Sequence, residues 1–110
     1  MSHFRYYAHK SVGQMYLKSF SYSQAVRVGD RIECAGQDGI PRRRSFTRRS
    51  NVQIAQAFAN VDLNLKDAGG KGWEQKPNRW MPNHMPVWTC VGVSRLGEDD
   101  MRVEIEVVYP

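Results

Sequence analysis

Glu104 and Glu106 stand at alternate positions of a stretch rich in β-branched residues, and Trp88 and Cys90 do the same in an earlier one. If both stretches are strands, the four side chains share one face. A carboxylate held partly out of water can take or give a proton, so Glu104 is a candidate for acid–base work. The same alternation also suits a solvated Glu104, and Glu106, one step further, reads as a solvent or interface charge. Cys90 fits a small lining side chain better than a nucleophile, since no cation in sequence accompanies it. His84, in Pro82-Asn-His-Met-Pro86, could serve acid–base cleavage of RNA only with a second histidine or a carboxylate, and none is placed near it; it reads as a loop histidine. His3 and His9 lie in a terminal segment and carry less weight. Cys34 and Cys90 show neither CxxC nor Cys/His spacing, which argues against a zinc site or a disulfide framework; no metal and no cofactor are expected.

Elements must position these groups. Val87, Thr89, Val91 and Val93 alternate with Trp88, Cys90, Gly92 and Ser94, and Met101, Val103, Ile105 and Val107 alternate with Arg102, Glu104 and Glu106. Residues 86–108 therefore read as a C-terminal hairpin with one apolar face. An earlier hairpin is signalled by alternating runs at 24–28 and 31–35 around Gly29-Asp30, where glycine supplies a positive φ at the first turn position. A weaker strand signal covers residues 15–20. Residues 38–50 read as a basic loop, and residues 51–68 as the one helix, with Ile54, Phe58, Val61, Leu65 and Ala68 on its apolar face and Asp62 and Asn64 elsewhere. Ser50 is the expected N-cap, and Gly69-Gly70 the expected stop. Residues 73–86, with three prolines, read as a loop. The apolar face of the C-terminal hairpin would be the floor on which the helix lies.

At 110 residues, with 41% hydrophobic and 25% charged, the chain suits one domain over 1–110. No apolar run of ~18 residues could span a bilayer, and no apolar stretch follows the N-terminal charges as in a secretory signal. A soluble cytoplasmic or mitochondrial protein is expected. The net charge of +5 is concentrated in Arg42, Arg43, Arg44, Arg48 and Arg49; elsewhere basic and acidic residues balance. That cluster could hold phosphates, yet no aromatic nucleic-acid motif, GXXG loop or Cys/His finger accompanies it, so it reads as a solvated loop.

Three stretches carry a resemblance: Tyr22-Ser-Gln-Ala-Val-Arg-Val-Gly-Asp-Arg-Ile-Glu-Cys-Ala-Gly-Gln37, Gln56-Ala-Phe-Ala-Asn-Val-Asp-Leu-Asn-Leu-Lys-Asp-Ala-Gly-Gly70, and Val93-Ser-Arg-Leu96 with Val103-Glu-Ile-Glu106. In this order they resemble the YjgF/RidA family, the reactive-intermediate deaminases also described as endoribonuclease L-PSP. The resemblance implies an α+β, chorismate-mutase-like fold in which a helix packs on one face of a mixed sheet, and a homotrimer with pockets between subunits. It also implies cofactor-free hydrolysis of imines and enamines derived from amino acids. Carried over, Tyr22 lines the pocket, Ala35 and Gly36 offer backbone groups, Cys90 lines the wall and Glu104 holds or activates the attacking water.

Two features depart from that pattern. Where the deaminating members have an arginine that grips the substrate carboxylate, two residues before the cysteine, this chain has Trp88. Losing such a charge-assisted pair weakens carboxylate binding by about 1.5–3 kcal/mol per hydrogen bond, which points to an apolar or aromatic ligand, a plugged pocket or lost activity. Between Gln75 and Trp80 the family places a strand and a second helix, about 17 residues at average lengths. Here only Lys76-Pro77-Asn78-Arg79 intervenes, so both elements are expected to be missing. The alternative to an enzyme is a non-catalytic protein of the same fold that binds a small ligand or, through its arginines, RNA.

Overall fold

The computed structural model describes residues 4–10, 12–39, 49–70 and 89–109. Their elements, in chain order, are β1 (Arg5–Tyr7), α1 (Val12–Phe20), β2 (Ala25–Val28), β3 (Arg31–Cys34), β4 (Gln37–Asp38), α2 (Ser50–Asp67), β5 (Glu104–Ile105) and β6 (Val108–Tyr109). One antiparallel sheet has the order β1-β2-β3-β6, and β4 pairs with β5 beside it.

The β2–β3 hairpin forms where alternation and turn chemistry agree. Val28 pairs with Arg31 across Gly29 and Asp30, and Gly29 takes φ 61°, which a residue with a Cβ would resist. Directly paired residues share a face, so Ala25, Cys34 and Ile32 point together beneath α2. They form the core with Val61, Leu65 and Ala68, and Tyr7, Ile105 and Val107 pack at its margin. Ile32, Val61 and Leu65 are fully buried, each contributing about 1.5–3 kcal/mol of transfer free energy.

α2 ends as expected. Gly69 is left-handed at φ 85°, the Gly70 amide donates to the Leu65 carbonyl at 2.8 Å and the Gly69 amide to the Lys66 carbonyl at 3.1 Å, a Schellman closure. The start differs: Arg49, extended and making no side-chain capping hydrogen bond, is the cap, and Ser50 already belongs to the helix. The buried face is also turned from the expected one. Ile54 is 44% exposed, whereas Gln53, Asp62 and Asn64 are buried beside Ala57, Val61 and Leu65. Backbone groups of other elements meet the Asn64 nitrogen and both ends of the Gln53 amide, which offsets most of the cost of burying them. Asn64 Nδ2 donates to the Gln24 carbonyl at 2.8 Å, and Gln53 grips residues 100–102 from both sides.

Residues 15–20 are helical, not extended. The helical spacing puts Tyr16 against Phe20, ring centroids 5.7 Å apart, and Gln14 anchors the first turn by donating its side-chain amide to the Ala8 carbonyl at 2.6 Å. Six residues are too few for alternation to separate strand from helix, and these contacts decide it. Ser21, at φ 58°, ends α1. A second helix therefore exists among the described residues, ahead of the hairpin.

The C-terminal hairpin is corrected as well. Residues 89–103 form no strand, and Val91 and Val93 are 74% and 59% exposed. The later segment pairs instead with the first half of the chain: Val108 with Glu33, and Ile105 with Gln37. Between those pairs three residues, 34–36, oppose two, 106–107, so a one-residue bulge sits at Gly36. The floor under α2 is thus the β2–β3 hairpin. The alternation over 103–107 does hold, with Ile105 and Val107 inward and Glu104 and Glu106 exposed. Trp88, Arg42, Arg43, Arg44, Arg48, His84 and the expected gap after Gln75 lie outside the described residues.

Candidate functional site

A cleft opens where α1, the bulge and α2 meet. His9, Val12, Tyr16, Tyr22, Gln24, Gly36, Gln37, Asp38, Asn60, Leu63 and Glu104 line it, around roughly 60 Å³ of free space. That is room for a few waters or one small planar group.

The bulge sets its floor. Because 34–36 carry one residue more than the strand opposite, Gly36 is thrust under the side chain of Glu104. A Cβ there would meet the Glu104 carboxyl carbon at 2.7 Å and its Cγ at 2.9 Å, so only glycine leaves the carboxylate where it stands. Glu104 belongs to β5, and its height is fixed from below by Gln53. The Gln53 side-chain amide donates to the Asp100 carbonyl at 2.7 Å, and its oxygen accepts from the Arg102 amide at 2.8 Å.

The inner wall is a network of amides. Gln37 Nε2 donates to the Ala35 carbonyl at 3.1 Å and to Gln24 Oε1 at 2.9 Å. The first of these bonds fixes which end of the Gln37 amide faces Gln24, because a carbonyl can only accept. Gln24 must therefore answer with its oxygen, and its Nε2, buried, is left without a hydrogen-bond partner. The Gln24 carbonyl meanwhile accepts from both the Ala35 amide and Asn64 Nδ2, each at 2.8 Å, which holds the residue rigidly.

The outer wall is aromatic. Tyr16 and Tyr22 stack with centroids 5.6 Å apart and an interplanar angle of 21°. Burial, above all, pushes the Tyr22 phenol above its ordinary pKa; the nearby Gln24 amide partly opposes this, and the charges of Asp38 and Glu104 add to the rise. Tyr22 thus stays a neutral phenol at neutral pH. On the opposite side, buried His9 has Nδ1 3.0 Å from the Lys10 carbonyl. A carbonyl can only accept, so Nδ1 carries the proton in that contact.

Of the residues singled out in the sequence, Tyr22, Gly36 and Glu104 come together here. Ala35 lies on the adjoining groove with Tyr6, Ser23 and Glu106, although its carbonyl serves the cleft through Gln37. Cys90 is exposed in the 89–103 segment and does not line the cleft within the single chain. The sequence reading passed over His9, Gln24, Gln37, Asp38 and Asn60. Gln24 could have been found from its place beside Tyr22; His9 carried no signal, because its place depends on β1 pairing with β2 and on the close approach of Gly13 to its ring. Among the described residues no lysine or arginine lines the cleft, and no three of His, Cys, Asp and Glu gather as metal ligands. No described helix is long and apolar enough to cross a membrane.

A solved structure described as "Structural Genomics, Protein YJGH" superposes on this chain with a TM-score of 0.68 and 25% sequence identity, over 94% of this chain and 91% of that one. No protein-family model matches the chain, and no curated protein does.

Proposed function

This chain belongs to the YjgF/RidA family, and from that premise we propose that it is a cofactor-free hydrolase of reactive imines and enamines. The observation that supports this reading most is the Glu104 carboxylate seated over Gly36 in a cleft shared with Tyr22. In the reaction, water adds to the carbon of C=N while Glu104 takes one of its protons, and the π pair goes to nitrogen. Glu104 then returns that proton to the nitrogen. In the carbinolamine so formed, Glu104 takes the hydroxyl proton and passes it to the nitrogen, the C–N bond breaks with its electron pair leaving on nitrogen, the C–O bond becomes a carbonyl, and ammonia is released. Atoms balance with one water consumed, and neither an oxidant nor a metal takes part.

The active form in this reading is a homotrimer whose pockets lie between subunits, with Cys90 and Trp88 supplied as wall. The exposure of Val91 and Val93 beside Cys90 fits a segment that packs on a neighbour. With Trp88 at the arginine position, imines of 2-oxo acids are poor substrates compared with uncharged ones.

Ammonia release from imines generated in situ, both 2-imino acids and their amides, tests the activity. Glu104→Ala is expected to slow release by about 10²–10⁴-fold while sedimentation and melting stay as in wild type. Wild type and variant equally inert on both imine types would end the hydrolase reading and leave a non-catalytic binding protein. Sedimentation of the wild type reads the trimer directly, and a monomer would refute that part.

A further inference from the structure

We propose that the stripe Val12, Tyr16 and Phe20 on α1, together with Tyr22, is the side-chain subsite of the cleft, and that it selects ligands carrying a planar aromatic group. The proposal rests on the cleft being the ligand pocket, as in the hydrolase reading, and goes further by naming the kind of side chain its ligand bears.

Placement on the helix carries it first. Val12, Tyr16 and Phe20 are four residues apart in α1, so they lie on one face, each about 6 Å beyond the last. Val12 and Tyr16 line the cleft, whereas Phe20, one turn further, is 61% exposed. The stripe therefore runs from the cleft out to the surface. Ser21, at φ 58°, turns the chain back where α1 ends, and Tyr22 returns onto Tyr16. Tyr16 thus meets two rings, Phe20 tilted at 47° with centroids 5.7 Å apart and Tyr22 stacked at 21° and 5.6 Å. The three make one wall that begins inside the cleft and ends outside it.

Exposure is the second observation. Tyr22 is 41% exposed, and Leu17, three residues before Phe20 on the helix, is 40% exposed. Apolar residues exposed singly are ordinary, but contiguous rings at the mouth of a cleft mark a surface used in binding. The occupant is part of a small ligand and not a second copy of the chain, because Tyr16 and Tyr22 belong at once to the wall and to the cleft that holds Glu104. Rings favour a planar aromatic group over a saturated one, since stacked and tilted ring pairs gain attraction beyond the area they bury. Size agrees. The roughly 60 Å³ of free space takes a small reacting group and no ring beside it, while the helical turn from Tyr16 to Phe20 is about the length of a phenyl group. α1 precedes the stretches that carry the family resemblance, which assigns Tyr16 and Phe20 no role.

2-Phenylacetamide and 2-cyclohexylacetamide differ only in the ring, are uncharged and, not being imines, are not turned over. The experiment titrates each into the full chain and follows the backbone amide shifts of Tyr16, Phe20 and Tyr22. The phenyl compound is expected to bind saturably at these amides, with a Kd about threefold or more below that of the cyclohexyl compound. Phe20→Leu, apolar but without a ring, should at least halve that preference, and Phe20→Ser should weaken the phenyl compound about fivefold with sedimentation as in wild type. Equal Kd values in the wild type, no saturable shift at these amides, or a preference untouched by Phe20→Leu would each overturn the proposal. So would a change in sedimentation on Phe20→Ser, which would make the cluster an interface between copies. If Phe20→Ser does not fold, the wild-type and Phe20→Leu titrations decide. None of these measurements involves turnover: a phenyl preference in a protein inert on imines leaves the subsite standing and ends the hydrolase reading, and ammonia release without a phenyl preference does the reverse.

Discussion

Gln53→Met removes both hydrogen bonds that pin the backbone just ahead of Glu104 and keeps nearly the same volume. Gln53 is fully buried, its Nε2 donates to the Asp100 carbonyl at 2.7 Å and its Oε1 accepts from the Arg102 amide at 2.8 Å. At about 0.5–1.5 kcal/mol net for each bond, losing two destabilises the fold by about 1–3 kcal/mol. Both bonds are only part-buried, so water replaces some of what is lost on the backbone side, and the middle of that range, about 2 kcal/mol, is expected. Against a whole stability of about 5–15 kcal/mol this is a large fraction, and it lowers the melting temperature by roughly 8–10 °C. Urea unfolding measures the loss. Amide hydrogen exchange locates it, because the Arg102 amide should lose protection before those of the α2 core. Glu104, two residues on, loosens with it, so ammonia release should fall further than the unfolded fraction explains. A variant that unfolds within about 0.5 kcal/mol of wild type, with exchange at Arg102 unchanged, would refute the idea that Gln53 is the pin.

Gly36→Ala should abolish ammonia release with the fold kept, since its Cβ displaces only the Glu104 side chain, while Gly92→Ala, with open space around it, should change neither activity nor melting. Gly39→Ala should instead cost stability, because its Cβ would lie 2.7 Å from the Cα and 2.8 Å from the carbonyl oxygen of Gln53, helix backbone that cannot step aside; a melting temperature equal to wild type would contradict this. Burial pushes the Cys34 thiol up to about 11. A thiol reagent at pH 8 finds only about one Cys34 in a thousand ionised, and should label exposed Cys90 first and Cys34 only after denaturation. The same shift has a stability consequence whose sign follows from linkage. The folded pKa lies above the ordinary 9.0, so the contribution is full below about pH 9 and is lost as pH rises towards 11. Cys34→Ala should therefore flatten part of the alkaline fall in urea midpoint, and identical pH profiles for the two proteins would exclude it.

The sequence by itself determined what depends on neighbours along the chain. Gly29-Asp30 between alternating runs specified the β2–β3 hairpin, Gly69-Gly70 specified the end of α2, and alternation over 103–107 specified which side chains face outward, Glu104 among them. The motif from Tyr22 to Gln37 was enough to suggest the family. Tertiary structure decided whatever depends on a distant partner. Alternation showed that residues 104–109 are extended but not that they pair with β3 and β4, because a strand edge accepts any backbone of the right register. Helical period assigned Ile54 to the core and Asn64 elsewhere, and the reverse holds: the Gln24 carbonyl accepts from Asn64 Nδ2 and so offsets part of the penalty that keeps amides out, although Asn64 Oδ1 is left without a hydrogen-bond partner. The site divides the same way. Glu104, Gly36 and Tyr22 were visible as residue types in a motif. The unpaired Gln24 amide, His9 and the absence of a described cation from the cleft lining arise only when three elements converge, since whether a donor is left without an acceptor is a property of the whole hydrogen-bond network.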